Sequence, residues 1–222
     1  GLYIPLGLTE VAYEFRYFED VHAMYGTYGK DWGAWGVQLG SRLEQAFTRA
    51  ELSEEGQTPF TNDYFSWYPS GSLSYEADAR TTWSASYSRR VNRPRGRQVN
   101  PYMDDSDAFN IRFGNPKLRP EYTHSFEINR LWTKGRWSVA TALFYKRTTD
   151  VIRHYSTINE FGVRSSTYAN LASRHDEGLE LILSAPLWKA SSVRVTGELY
   201  HLANAAGDLE AATNAEGWTP NL

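Results

Sequence analysis

Alternation of apolar and polar residues with a period of two constrains the fold of this chain more than any other feature. Between residues 35 and 47, Val37 and Leu39 have one parity, whereas Gln38 and Arg42 have the other. Successive side chains of a β-strand point to opposite faces of a sheet, so this pattern predicts strands with one apolar and one polar face. The same alternation recurs around residues 82–88, 125–132, 137–145, 179–184 and 193–199.

The alternation predicts eight antiparallel strands joined by two kinds of connection. The strands are expected near residues 11–29, 33–49, 64–77, 80–91, 121–133, 136–149, 165–185 and 190–203. The short connections are Gly29–Trp32, Ala77–Ala79, Thr133–Gly135 and Pro186–Lys189, and the long ones are residues 50–63, 92–120, 150–164 and 204–222. Because short and long connections take turns, tight turns would lie at one edge of the sheet and long loops at the other, which is typical of outer-membrane β-barrels.

The overall composition is compatible with such a barrel. The mean hydropathy is −0.56, and no segment approaches the roughly 18 consecutive apolar residues of a transmembrane helix. In a transmembrane barrel the lipid-facing and lumen-facing residues alternate, so their hydropathies average out. The net charge of −3 gives no basic field that would favour a nucleic-acid partner. The lack of cysteine excludes disulfides, cysteine zinc sites and thiol catalysis.

Five tryptophans lie beside the predicted short turns. In a barrel they would form the aromatic girdle at the periplasmic interface of the membrane. A soluble β-sandwich with tryptophans in its core is the other interpretation, but five tryptophans at the same end of successive hairpins favour the girdle. The predicted interface residues are Trp32, Trp35, Trp132, Trp137 and Trp188.

Several segments carry a resemblance to a known family. Tyr87–Pro94 reads YSRRVNRP, Asn100–Tyr102 reads NPY and Gly114–Glu127 reads GNPKLRPEYTHSFE. Together they resemble the outer-membrane β-barrel of TonB-dependent receptors, in the variant common in Bacteroidetes-like bacteria. Shorter matches occur in the same order as in that family, at Tyr25–Tyr28 with Trp35–Glu44, at Asn62–Tyr75 and at Gly178–Glu180.

This resemblance implies a larger protein. A complete receptor has a signal peptide, a TonB box, an N-terminal plug domain and a barrel of about 22 strands. The sequence starts at Gly1 without a recognisable leader, and no plug is recognised. Residues 1–222 are therefore expected to form an all-β, antiparallel, up-and-down transmembrane segment, about eight strands of a 22-stranded barrel.

The resemblance also implies a function and partners. The expected activity is TonB-dependent uptake of a bulky nutrient, such as a ferric siderophore, a glycan, a peptide or a cobalamin-like compound. The expected partners are outer-membrane lipid, TonB through the missing plug region, and an unidentified nutrient ligand. The expected location is the outer membrane of a Gram-negative-type bacterium.

Six charged residues have the parity opposite to the apolar residues of their strands. A charged side chain on the lipid face costs about 2–4 kcal/mol at mid-membrane, so these residues are predicted to face the lumen. There they would contact the plug or the substrate, or form cross-strand ion pairs, which is the favoured interpretation for any single one. They are Arg42, Glu44, Glu127, Glu180, Arg194 and Glu198.

A dense run of arginines follows the fourth predicted strand. It is a candidate site for an anionic substrate or for carboxylates of the plug, although most charge runs of this kind are solvated or bind lipopolysaccharide phosphates. The candidate substrate-binding residues are Arg89, Arg90, Arg93, Arg95 and Arg97.

No catalytic motif, metal site or cofactor site is recognised. GxSxG, HExxH and P-loop patterns are missing from the sequence, which argues against an enzyme. Asp104, Asp105 and Asp107 could bind Ca²⁺, but a solvated acidic loop is favoured because the glycine and distal glutamate of an EF-hand are missing. The five histidines include no pair spaced four residues apart.

Two alternatives remain at this point. A passive pore or small stand-alone eight-stranded barrel predicts natural ends and refolding of this chain in detergent. A soluble β-sheet module that stacks glycans on tryptophan and tyrosine predicts solubility without detergent.

Overall fold

The described residues form one large, mostly antiparallel β-sheet. The structure is a computed structural model that describes residues 14–53, 59–188, 191–206 and 215–221. The strands are β1 (Phe15–Trp32), β2 (Trp35–Leu52), β3 (Phe60–Asp78), β4 (Thr81–Asn92), β5 (Asn110–Arg112), β6 (Glu121–Lys134), β7 (Trp137–Ile158), β8 (Arg164–Trp188), β9 (Ser191–Ala206) and β10 (Ala215–Asn221), and a one-turn helix, α1, spans Gly96–Val99.

The strands follow one another as an up-and-down meander. The order in the sheet is β1-β2-β3-β4-β6-β7-β8-β9-β10, and all of these neighbours are antiparallel. The exception is β5, which pairs in parallel with the start of β8, with Asn110 opposite Arg164. The predicted all-β antiparallel class is confirmed.

The number of strands differs from the prediction, because the described residues form ten and not eight. The eight predicted strands correspond to β1–β4 and β6–β9. The two others, β5 and β10, lie in the predicted long connections 92–120 and 204–222. Outside the described residues lie 1–13, 54–58, 189–190, 207–214 and 222, which include the start of the first and eighth predicted strands and parts of three predicted connections.

Several strand ends also differ from the prediction. Residues 29–32 belong to β1, and the first turn is Gly33–Ala34. Gly33 has a φ of 58° and Gly135, in the β6–β7 turn, a φ of 61°, which two-residue hairpins require. The predicted loop 150–164 shrinks to residues 159–163, because β7 continues to Ile158. Apolar and polar residues alternate only in a strand with one solvent-exposed face and one apolar face. Strand portions with two polar faces therefore give no periodic signal in the sequence.

The registers place the main apolar row and the six charged residues predicted to face the lumen on opposite faces of the sheet. One cross-strand row runs through Val37, Leu73, Ala85, Ile128, Leu143, Leu179 and Leu199; this row and the residues of the same parity form the apolar face. The adjacent row of opposite parity includes Gln38, Ser72, Ser86 and Glu127, and it belongs to the polar face. Register shifts between Thr148 and Ile152 interrupt the alternation of β7. The two faces are therefore defined only for the part of the sheet between these shifts and the short-turn edge.

The segment between β4 and β6, residues 93–120, folds against the polar face near the long-loop edge of the sheet, which is called the upper part below. Leu118, which is 1% exposed, is its most deeply buried residue, and its carbonyl accepts a bond from the Asn62 amide of β3. Within the segment, Gly114 N–H donates to the Asn100 carbonyl. A Cβ at Gly114 would lie 2.6 Å from the Gln98 carbonyl oxygen, so this close approach requires glycine.

Candidate ligand-binding site

An ion cluster holds the start of the 93–120 segment to the sheet. Arg93 donates to the carboxylate of Glu44 on β2, and its Nε lies 3.1 Å from Glu19 Oε1 on β1 and 2.7 Å from the Tyr64 hydroxyl on β3. Glu44 is only 5% exposed and also accepts from Arg42. Burial would lower the pKa of Arg93, but the bonds to Glu44 and Tyr64 raise it above its ordinary value.

The five arginines proposed from the sequence are not brought together as one patch. Arg89 lies over the Tyr122 ring and donates to the Trp67 carbonyl, and Arg93 belongs to the ion cluster. Arg90 is exposed, and Arg95 is the N-cap of α1. Arg97 lines a cavity.

This cavity, of about 430 Å³, lies between the 93–120 segment and the upper parts of β7 and β8. Three guanidinium groups line it, those of Arg97, Arg112 and Arg164, and none of them forms an ion pair within the described part of the chain. One carboxylate, that of Asp104, also lines the cavity and interacts electrostatically with Arg112. The lining further includes hydroxyl, amide and imidazole groups, from Asn100, Asn110, His154, Ser156, Ser166 and Tyr168.

Hydrogen bonds fix the segment in place above the cavity. Phe113 N–H donates to the Ser166 carbonyl, and Arg164 N–H donates to the Phe109 carbonyl. The Asn115 side chain donates to the Tyr168 carbonyl at 2.9 Å. The cavity wall is therefore built from two parts of the chain whose backbones are bonded to each other.

Two of the acidic residues in this segment organise the loop itself. Asp104 accepts from the Ser106 hydroxyl at 2.7 Å, and Asp107 accepts from the Asn110 side chain at 2.8 Å. These bonds lower the pKa of both carboxyl groups below the ordinary value of 3.8. No group of three or more residues that could hold a metal ion occurs among the described residues.

Arg112 and Arg164 were not predicted from the sequence. They lie far apart along the chain, and the parallel pairing of β5 with β8 brings them to one cavity. A three-residue strand inside a long loop gives no periodic signal, so nothing in the sequence pointed to this pair.

The structure places all six predicted charged residues on the polar face. Their interactions differ from the predicted cross-strand ion pairs. Arg42 and Glu44 pair along one strand, and Glu127 accepts from Asn129 at 2.7 Å. Glu180 stands directly opposite Glu198, an unfavourable juxtaposition of like charges. Arg194 stands opposite Ser184.

The five predicted interface tryptophans all lie at the short-turn edge of the sheet. Trp32 pairs with Trp35 across the first turn, and Trp132 and Trp137 flank the third hairpin turn. Trp188 ends β8. Trp83, which the prediction did not include, lies two residues into β4 near the same edge. None of the described helices has the length and hydropathy of a membrane-spanning helix.

Comparison with known proteins identifies the family. The profile described as "Outer membrane protein beta-barrel family" matches residues 7–222. Three solved structures illustrate the fold. The FrpB iron transporter of Neisseria meningitidis (F3-3 variant) has 15% identity and a TM-score of 0.57, over 88% of this chain and 27% of that one. The ferric-catecholate import receptor Fiu of E. coli K12 has 16% identity and a TM-score of 0.58, over 87% and 29%.

The third is a double mutant of the Serratia marcescens hemophore receptor HasR, in complex with its hemophore HasA and heme. It has 12% identity and a TM-score of 0.63, over 84% of this chain and 34% of that one. The chain thus spans about a third or less of the length of these three structures. No curated protein matches the sequence.

Proposed function

Because this chain belongs to the outer membrane protein β-barrel family, we propose that it forms part of the wall of a TonB-dependent transporter that imports a bulky nutrient. The resemblance inferred from the sequence is confirmed for the family, and so is the location in the outer membrane. The matched structures are named as transporters and receptors, not as enzymes. A soluble glycan-binding module is excluded by the family.

The observation that carries the proposal is the separation of the two faces below the 93–120 segment. An apolar row crosses seven strands on one face, and the six charged residues predicted to face the lumen lie on the other. Lipid cannot satisfy charged groups, so the apolar face meets the membrane and the polar face the lumen. The tryptophans at the short-turn edge then lie at the periplasmic interface.

The cavity beside the 93–120 segment is the proposed contact for the nutrient. In outer-membrane barrels the long connections lie on the external side, so this cavity would open where a ligand arrives. Three arginines line the cavity against one carboxylate, that of Asp104, and this excess of positive charge favours an anionic group, such as a carboxylate, catecholate or phosphate of the ligand. Arg97 is the residue from the predicted run that takes part.

The energy source and the remaining domains are also part of the proposal. The chain spans only part of the receptors that it matches, and TonB would act on a plug contributed by the rest of the protein. Within this chain, the polar face supplies the surface that such a plug would contact.

The experiment that tests the proposal uses the intact gene product in its host. Cells with and without the gene are given ⁵⁵Fe bound to the siderophores that the host secretes, ¹⁴C-labelled maltoheptaose, a labelled tetrapeptide mixture, and ⁵⁷Co-cyanocobalamin. The proposal expects gene-dependent uptake of at least one probe, and it expects a protonophore to abolish that uptake. In a planar bilayer the purified protein should remain closed.

A passive pore is the remaining alternative, and the same experiments distinguish it. A pore predicts stable ion conductance in the bilayer and solute entry that does not respond to the protonophore. Such a result would exclude energised transport.

A further inference from the structure

Three successive cross-strand rows on the apolar face change from aliphatic to aromatic to basic. The aliphatic row contains Ile128, Leu143, Leu179 and Leu199. Two residues nearer the long loops, the next row contains Tyr87, Phe126, Tyr145, Glu177 and His201. The third row contains Arg89, His124, Arg147 and His175. The apolar face thus becomes basic on the long-loop side of the aliphatic row.

Each histidine of the basic row is bonded to a tyrosine of the aromatic row. The Tyr87 hydroxyl lies 2.9 Å from His124 Nδ1, and the Tyr145 hydroxyl lies 2.8 Å from His175 Nδ1. When the hydroxyl donates, the proton of the neutral imidazole resides on Nε2. Both rings are then held as Nε2–H donors on either side of Arg147.

Arg147 stands between these two imidazoles and is exposed. It lies opposite His124 on β6 and opposite His175 on β8, and it forms no ion pair among the described residues. Glu177 is the carboxylate of the neighbouring row, and it pairs with His201 at 3.4 Å. Arg147 has no acid partner in its row and is flanked by two imidazole N–H donors, so the arrangement offers one cation and two neutral donors to an external anion.

An apolar groove lies directly below the basic row. It has a volume of about 440 Å³ and is lined by Phe126, Ile128, Leu143, Leu179 and Leu199, among others. A ligand that filled this groove with hydrocarbon would place a group two rows higher against Arg147. The site therefore suits a molecule with acyl chains and an anionic head.

We propose that His124, Arg147 and His175 bind a phosphate of the outer-leaflet glycolipid, with an acyl chain of the same lipid in the groove below. The long-loop side of an outer-membrane barrel faces the cell exterior, so this row lies at the level of the outer-leaflet headgroups. Guanidinium and imidazole donors match phosphate oxygens, and basic sites at this depth recognise lipid heads. This inference concerns the lipid-facing side and does not rest on the proposed transport.

The test measures binding of fluorescently labelled bisphosphoryl lipid A to the intact protein in detergent micelles, by anisotropy. Arg147→Gln is compared with Arg130→Gln, which removes the same charge from the same face near the short-turn edge, where Arg130 lies over Trp83. We expect roughly ten-fold or greater weakening for Arg147→Gln, the size of a lost charged hydrogen bond. Arg130→Gln should stay within about two-fold of the unchanged protein, because that residue makes no contact in the proposed site.

The double variant His124→Gln/His175→Gln should also weaken binding, and Arg147→Lys should retain most of it. Heat-modifiable migration on gels confirms that each variant is folded. Equal losses for Arg147→Gln and Arg130→Gln would overturn the proposal, as would equal competition by dephosphorylated lipid A. Displacement by millimolar inorganic phosphate would assign the site to free phosphate and not to lipid.

Discussion

Arg93 donates to Glu44, two strands away in the sheet, and this pair fastens the 93–120 segment to the polar face. Glu44 is almost completely buried, so its charge depends on Arg93 and Arg42 for compensation. The ion pair anchors the start of the segment on the sheet. Because the segment forms one wall of the cavity, the pair also helps to position the cavity.

Arg93→Gln should destabilise the protein by on the order of 3 kcal/mol, because it leaves a buried carboxylate with only one partner. The temperature at which the heat-modifiable band converts on gels measures this loss. Glu44→Gln/Arg93→Gln should lose less than the sum of the two single variants. Arg90→Gln, an exposed arginine nearby, is the control; an equal loss there would contradict the role of the pair.

Gly114→Ala should open the 93–120 segment. The added methyl group would lie 2.6 Å from the Gln98 carbonyl oxygen and 2.8 Å from the Asn100 amide nitrogen, and overpacking of this kind costs about 1–3 kcal/mol. Faster tryptic cleavage in the segment is the readout. Gly26→Ala, where an added Cβ meets nothing within 4 Å, should leave the cleavage rate unchanged; similar rates in both variants would refute the prediction.

Neighbouring residues of β7 test which face meets lipid. Leu143→Arg should lower stability by about 2–4 kcal/mol, because it puts a charge on the lipid face. Ala142→Arg, one residue away on the polar face, should cost much less. Urea titration of the protein folded into lipid vesicles measures the loss of unfolding free energy in both variants. A larger loss for Ala142→Arg than for Leu143→Arg would mean that the polar face, and not the apolar face, meets lipid.

Neutralising the cavity should weaken nutrient binding. Arg97→Gln, Arg112→Gln and Arg164→Gln should each raise the half-saturating concentration for uptake roughly ten-fold, the effect of a lost charged hydrogen bond. Uptake of the probe identified in the transport assay is the measurement. Arg90→Gln should leave uptake unchanged, since Arg90 does not line the cavity. If none of the three substitutions changed the half-saturating concentration, this cavity would be ruled out as the nutrient-binding site.

Acid should loosen the 93–120 segment only at low pH. The pKa values of Asp104 and Asp107 are lowered below 3.8 in the folded protein. Above that ordinary value, the two carboxylates therefore contribute fully to the stability of the folded segment. It is lost as the pH falls through the lower folded values. Digestion by pepsin at pH 5, 4, 3 and 2 should show increased cleavage of the segment only below about pH 4. Asp104→Asn/Asp107→Asn should reduce this pH dependence.

The sequence predicted the parts of the fold that adjoin the membrane. In β7 the apolar residues Trp137, Val139, Leu143 and Tyr145 share one parity, and the strand was expected there. Beyond Arg147 the alternation ends, and the sequence suggested a loop where β7 continues to Ile158. A strand that contacts water on both faces does not need apolar residues at every second position, so hydropathy could not reveal it.

Turn signals were informative where a residue type dictates the backbone. Pro116 and Pro120 cannot donate to a β-ladder, and β6 begins directly after them, at Glu121, where the strand was expected. The arginine run was less informative, because charge alone does not say which guanidinium meets a carboxylate. Arg93 is paired, Arg89 stacks on Tyr122 and Arg97 lines the cavity.

The sequence by itself determined the strand class, the meander, the parity of the charged residues and the family. These follow from local rules, because side-chain direction in a strand is fixed by parity and turns by glycine and proline. Only the tertiary structure decided the cavity and the basic row. Arg112 meets Arg164 through a parallel pairing, and His124 meets Arg147 and His175 through the registers of β6, β7 and β8. Register is a property of paired strands, and no single strand encodes it alone.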